Sequence, residues 1–268
     1  GDVYKRQEYY ETPRGLVIHD LERDYPTLMT NLDAYDQSAW PPGNLGHSLT
    51  PYPGPALGLT NAHTRSGGGA VLFLETRDAA FHASLVSGDS GLVYVENRPD
   101  TGRDIMYVPV RLEGDSVMVA GESVPIAASA AQDYMPEPHP FAPLYAFTST
   151  RNGTNQVFVG STDDTNNVRP VYTGQSQGAV WSPDGTELFF VANSEHVMVA
   201  DVDLNRIDPV GDPRVLFPLP EDFRIGGQYD RSFIYDKANE RFLISRYFGP
   251  KNDPELVVIG NLKQLLNQ

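Results

Sequence analysis

A short unit recurs along this chain: an aromatic residue, a tight turn, then a burst of strand-forming residues. Its sharpest copy is Trp181-Ser182-Pro183-Asp184-Gly185-Thr186-Glu187-Leu188-Phe189-Phe190. Pro183 presets φ for the first turn position, Asp184 suits the second, and Gly185 accepts the left-handed conformation that leads into the next strand. Trp40-Pro41-Pro42-Gly43 repeats the aromatic-then-turn pattern 141 residues earlier, which is three steps of 47. Ser87-Gly88-Asp89-Ser90 before Leu92-Val93-Tyr94 is a degenerate copy, and Ile234-Tyr235-Asp236-Lys237-Ala238-Asn239 before Arg241-Phe242-Leu243 is another. Around Phe141-Ala142-Pro143 the hairpin survives with its turn eroded.

Between the turns the apolar residues come in runs of three to five, dominated by β-branched and aromatic side chains, as strands are. Leu16-Val17-Ile18, Ala70 to Leu74, Gly91 to Val95, Ile105 to Val108, Val117 to Val119, Leu144 to Phe147, Gln156 to Val159, Glu187 to Val191, His196 to Ala200 and Glu255 to Ile259 are the clearest. Glycine (24) and proline (22) together make 46 of 268 residues, about 17%, above the roughly 12% usual for soluble proteins. Such a turn-rich chain is not a helical bundle and is a poor match to alternating β and α units. Helix is expected only at the end, where Asn261 caps Leu262-Lys263-Gln264-Leu265-Leu266.

A period of about 40–55 residues, each holding about four short strands, fits propeller blades better than other repeat classes. A β-sandwich also has frequent turns, but no reason to repeat an aromatic-turn-hydrophobic unit at blade spacing. The expected fold is therefore all-β, a β-propeller of four-stranded antiparallel blades, six-bladed or an incomplete ring of about five and a half blades. Residues 16–30 would give two outer strands of a first blade, and residues 34–76, 81–120, 134–173, 178–217 and 229–260 the later ones. The domain expectation is a disordered or artefactual leader at 1–13, a propeller at 14–260 and a short C-terminal helix at 261–268. Gly1-Asp2-Val3-Tyr4-Lys5-Arg6-Gln7 resembles a translated adapter sequence, so the chain reads as a fragment truncated at its N-terminus.

These repeats resemble those of the TolB-like propellers, whose repeat is called PD40, a relative of the WD40 repeat. The resemblance spans residues 14–266 and is most specific from Asn152 to Phe217, where Asn155 to Val159, Tyr172-Thr173-Gly174, Trp181 to Phe190 and Pro213 to Phe217 fall in family-like order. The end, from Tyr229-Asp230 through Arg241 to Ile244 and Leu256 to Ile259, resembles the C-terminal propellers of bacterial membrane-anchored serine/threonine kinases. Residues 41–43 lack the Asp that follows proline in the family turn, and the fourth blade lacks the Ser-Pro-Asp-Gly turn.

Twenty Lys and Arg against 35 Asp and Glu give a net charge of −15, which repels phosphate backbones and argues against a nucleic-acid partner. With no cysteine, thiolate metal sites, catalytic thiols and disulfides are excluded. No run approaches the 18 or more apolar residues of a membrane-spanning helix.

The six histidines, His19, His47, His63, His82, His139 and His196, show no i, i+4 pair of the kind that ligates metal on a helix; His47 and His63 share a Pro/Gly-rich stretch. Asp163-Asp164-Thr165-Asn166-Asn167 offers oxygens but lacks the Gly and Glu of a calcium loop, and reads as a solvated hairpin tip. Asp201, Asp203 and Asp208 read as a charged turn. Ser66-Gly67-Gly68-Gly69 lacks the Lys of a phosphate loop, and no Gly-x-Ser-x-Gly elbow occurs. Trp40, Trp181, Phe189, Phe190, Tyr94 and Phe147 could form a ligand platform, but their recurrence points to packing between blades. No catalytic, cofactor-binding or metal residue is assigned, and no cofactor.

The reading is a non-catalytic binding or scaffolding propeller whose face loops, at 41–69, 121–143 and 218–231, meet a protein, peptide or glycan. The resemblance implies a bacterial, extracytoplasmic or periplasmic protein, as a cell-envelope interaction module or a sensory half of a kinase. The alternative is a hydrolase or lyase with carboxylates in a central channel, or the gating propeller of a peptidase.

Overall fold

In a computed structural model of the chain, the described residues are 16–20, 25–30, 47–52, 56–61, 71–86, 90–113, 116–219, 233–236, 241–248 and 253–259. All regular structure among them is strand. The strands form six antiparallel sheets in chain order. The first pairs β1 (Leu16–Asp20) with β2 (Tyr25–Thr30), and the second joins β3 (His47–Tyr52), β4 (Ala56–Asn61) and β5 (Val71–Glu75). The third runs β6 (Ala80–Leu85), β7 (Gly91–Arg98) and the 12-residue β8 (Gly102–Glu113), with β9 (Ser116–Val119) and β10 (Val124–Ala127) sharing the outer edge of β8. The fourth is β11 (Asp133–Pro138), β12 (Leu144–Ser149), β13 (Gln156–Ser161) and β14 (Arg169–Pro170). The fifth is β15 (Ser176–Trp181), β16 (Glu187–Ala192), β17 (His196–Asp201) and β18 (Arg214–Pro218), and the sixth is β19 (Phe233–Asp236), β20 (Arg241–Phe248) and β21 (Asp253–Ile259).

First strands of successive sheets touch in sequence, β3 with β6, β6 with β11, β11 with β15 and β15 with β19. The second to sixth sheets thus stand side by side as blades, inner strand first, and the chain is a β-propeller. The hairpin bonds Val86 N to Gly91 O, His139 N to Leu144 O and Ser182 N to Glu187 O set the repeats in register. In that register Tyr94, Phe147 and Phe190 are equivalent, and all three are fully buried. Each packs toward the preceding blade: Tyr94 with Leu57, Phe147 with Val93 and Ile105, Phe190 with Ala146 and Val157. Phe189, on the opposite face of β16, packs forward on Tyr235 and Phe242 of the sixth sheet. The aromatic recurrence is therefore inter-blade packing, where repeat architectures place much of their stability.

The innermost strands share a second device. His82, Met135 and Gly178 all have φ between 53° and 70°, and each lies four residues before its hairpin residue. The ladder slips at the same place in all three, between Phe81 and Ser84, Tyr134 and Glu137, and Gln177 and Val180. A bulge with one left-handed residue breaks the alternation of side chains that marks a strand in sequence. This corrects the expected face loop at 121–143, which contains strands β10 and β11, and the expected end of the third blade at 120, which runs on to Ala127. The loop expected at 41–69 likewise holds strands β3 and β4. The leader at 1–13, Trp40, His63, Ser66 to Gly69, residues 220–231 and the helix expected at 261–268 lie outside the described residues.

Candidate groove between the fourth and fifth sheets

Antiparallel topology sends the β11–β12 and β15–β16 hairpins to one face, together with the β13–β14 and β17–β18 loops. On that face lies a groove of about 460 Å³. The β11–β12 turn contributes Phe141, Ala142, Pro143 and Leu144, the middle of the fourth sheet adds Val159 and Gly160, and the β17–β18 loop adds Leu204, Arg206, Ile207 and Pro209. Phe141 is 67% exposed, Leu204 49% and Ile207 100%. Large apolar side chains converging at this exposure make a patch, not scattered surface residues.

The loops that carry them are held by their own polar groups. Asp203 Oδ1 accepts from the backbone N–H and the side-chain amide of Asn205, each at 3.0 Å, and these bonds hold its carboxyl below the usual range. Asp203 N donates to Pro209 O and Gly211 N to Asp201 O, closing the loop base, while Asp201 meets Arg214 at 2.8 Å. Arg169 pairs with Asp208 and so ties β14 of the fourth sheet to the loop of the fifth. Asp164 Oδ1 caps the turn through Asn166 N, and the 163–167 segment is a solvated hairpin tip.

The opposite wall is set by His139. Its Nδ1 accepts from Phe141 N and from Ala142 N, both at 3.0 Å. Two donors on one nitrogen require that nitrogen to carry no proton, so Nε2 bears the hydrogen and donates it to Gly185 O at 3.0 Å. The ring stands edge-on to Trp181, with centroids 4.8 Å apart. Burial pushes the imidazole below its ordinary proton affinity, opposed in part by the Gly185 carbonyl. Sequence reading passed over His139, because the partner that gives it a role is 46 residues away.

Other buried ionisable groups lie outside the groove lining. Asp133, fully buried, meets Arg151 Nη2 at 2.8 Å, and the guanidinium lies 5.3 Å and 5.0 Å from the Phe147 and Phe158 ring centres. Burial raises the Asp133 carboxyl above its usual range, with Ser149 and Arg151 opposing. Burial likewise raises Glu96, opposed first by Arg98, and pushes the Tyr94 hydroxyl up to about 12. His82 and His196 lie on the third and fifth sheets, and His19 and His47 fall on β1 and β3. Among the described residues no three His, Asp or Glu side chains are placed to hold a metal ion, and no helix is long and apolar enough to cross a membrane.

No family model matches the sequence, and no curated protein does. Solved structures do share the fold. A puromycin-hydrolyzing peptidase of Mycobacterium tuberculosis aligns with TM-score 0.63 and 11% identity over 93% of this chain and 41% of its own. An oligogalacturonate lyase in complex with manganese gives 0.61 and 17% identity, over 95% of this chain and 70% of its own. TolB from Acinetobacter baumannii gives 0.58 and 15%, over 91% and 56%. The chain spans less than two thirds of the length of the peptidase and of TolB. Its fold is a β-propeller similar to those of TolB and of these two enzymes.

Proposed function

We propose that this TolB-like propeller is a non-catalytic binding module, and that it holds an extended apolar segment of a basic partner protein in the groove between its fourth and fifth sheets. The observation that carries the reading is the convergence of Phe141, Leu204 and Ile207 on one concave surface built by hydrogen-bonded loops. A preformed apolar groove gains affinity by avoiding the cost of ordering itself. The net charge of −15 steers basic partners toward the molecule over long range, while the groove supplies the short-range contact. Ser161, Asp164, Asn167, Arg169 and Arg206 also line the groove, so a glycan would meet polar groups there and is the competing ligand.

Hydrolase or lyase chemistry is the competing reading, and it draws on the fold alone. Among the described residues, the acids on the inner strands β6, β11 and β15 are Asp133 and Glu137, and Asp133 is taken up by Arg151. By its family resemblance, the module would act outside the bacterial cytoplasm.

The test is a selection of random peptides on the wild-type chain at pH 7.5, followed by affinity measurements on Ile207→Asp and Leu204→Asp. These residues are exposed, so both variants should keep the wild-type melting temperature while selected apolar peptides bind about tenfold more weakly or worse. Peptides that bind both variants as tightly as wild type would overturn the groove as the site.

A further inference from the structure

We infer that His139 is a positioning residue that makes this groove pH-sensitive: the neutral imidazole holds the 139–144 turn, and a proton on Nδ1 releases the Phe141 wall and the segment bound against it. The inference rests on the groove reading for its consequence and on the turn geometry for its mechanism.

The two neighbouring hairpins are built differently at the same repeat position. In the 182–187 turn, Ser182 Oγ accepts from Glu187 N, and Asp184 Oδ1 accepts from Thr186 N and from the Ser182 and Thr186 hydroxyls. In the 139–144 turn the intervening residues are Pro140, Phe141, Ala142 and Pro143, none with a polar side chain. The amides of Phe141 and Ala142 therefore both rely on His139 Nδ1. A proton there turns the acceptor into a third donor facing two others, and the turn loses the group that organises it. Phe141, Ala142, Pro143 and Leu144 are the groove wall, so the consequence falls on the site itself.

The same proton charges a ring enclosed by Trp181 and the Gly185 carbonyl. The ionisable groups on the elements packed against it are Asp133 and Glu137 on β11, Tyr145 on β12, Asp184 in the 182–187 turn and Glu187 on β16. Burial lowers the imidazole's proton affinity, and the Gly185 hydrogen bond opposes it in part. With the folded value below that of a free histidine, about 6.5, the contribution to stability is complete above that pH. It is lost as pH falls through the folded value.

Amide exchange by NMR tests this on the full chain without any ligand. Protection factors of the Phe141 and Ala142 amides should drop at least tenfold as pH falls from 7.5 through the imidazole's own midpoint, while those of Gly185 and Glu187 hold. The imidazole ¹⁵N shifts of the wild-type protein should show Nδ1 bare and Nε2 protonated at pH 7.5, titrating with the same midpoint as the amides. His139→Gln, whose side chain does not titrate, should flatten the exchange profile, and the affinity of wild type for a peptide selected at pH 7.5 should fall with the imidazole's midpoint. Protection that survives protonation of the imidazole, or a proton on Nδ1 at pH 7.5, would sink the switch and leave the groove reading standing. Failure of the peptide selection would sink the groove reading and leave the turn transition measurable. A turn transition with unchanged peptide affinity would overturn the coupling between them.

Discussion

The indole N–H of Trp181 donates to the backbone carbonyl of Glu137 at 2.8 Å, 44 residues back and on the neighbouring sheet. Trp181 is 5% exposed and packs within the cluster of Leu188, Phe190 and Ala146. The repeat's most conspicuous aromatic thus joins two blades both by packing and by a directed hydrogen bond. Trp181→Ala should cost about 3–5 kcal/mol in denaturant unfolding, as large-to-small aromatic changes in packed cores do. Trp181→Phe retains most of the ring burial but leaves the Glu137 carbonyl without the indole donor, and should cost about 1–3 kcal/mol. A loss below about 1 kcal/mol for the alanine variant would remove Trp181 from the inter-blade core.

Gly185 answers two demands at once. Its φ is +70°, and a Cβ built there would lie 2.5 Å from His139 Cε1. Gly178 has the same φ but nothing within 4 Å of its Cβ position. Gly178→Ala should therefore cost only the left-handed penalty, about 1–2 kcal/mol. Gly185→Ala should cost measurably more, because His139 must also move. In the His139→Ala background the excess at position 185 should disappear, a double-mutant cycle read by thermal unfolding.

Asp133 and Arg151 form a buried pair whose halves are unequal: the carboxylate side chain is fully buried and the guanidinium 23% exposed. Arg151→Met leaves a buried carboxylate without its partner and should destabilise by about 3–5 kcal/mol at pH 7. Arg151→Met with Asp133→Asn should recover much of that loss. The sign of the pH dependence follows from the raised Asp133 carboxyl. Its contribution to stability is complete below the ordinary value of about 3.9 and is lost as pH rises through the folded value. The single variant's deficit should shrink as pH is lowered from 7 toward 4, and a deficit that grows instead would contradict the assignment.

At the β16–β17 hairpin, Asn193 and Ser194 both sit at positive φ, 53° and 57°, and Glu195 N bonds to Ala192 O at 3.0 Å. This is a two-residue turn of the primed kind, for which Asn-Gly is the favoured pair. Ser194→Gly should raise stability by about 0.5–1 kcal/mol, since the left-handed strain at an exposed serine disappears. Unchanged or lowered melting temperature would show that the turn is strained less than its dihedrals imply.

The middle strands were legible in sequence as dense apolar runs such as Glu187 to Val191 and His196 to Ala200. Of the inner strands, Gly178 to Trp181 and Phe233 to Tyr235 were legible too, but Ala80–Leu85 and Asp133–Pro138 were not. Ala80-Phe81-His82-Ala83-Ser84-Leu85 and Asp133-Tyr134-Met135-Pro136-Glu137-Pro138 each carry a bulge with a left-handed residue, which scrambles the two-residue period. Two prolines in β11 add to the disguise, since proline argues against a central strand. The groove was hidden for a different reason: its walls come from 141–144, 159–169 and 204–209, and none of these stretches carries a recognisable motif.

The amino-acid sequence alone determined the repeat, the strand-rich class and the left-handed role of Gly185, because each of these depends on residues within one turn of one another. It also determined that the recurring aromatics belong between blades. Only the tertiary structure decided that the eroded turn at 139–144 is organised by a histidine instead of Ser and Asp, and that this histidine reaches Gly185 on the next blade. The physical reason is that turn chemistry is local, whereas a concave surface and the proton state of a buried imidazole depend on which distant backbone groups are brought within 3 Å.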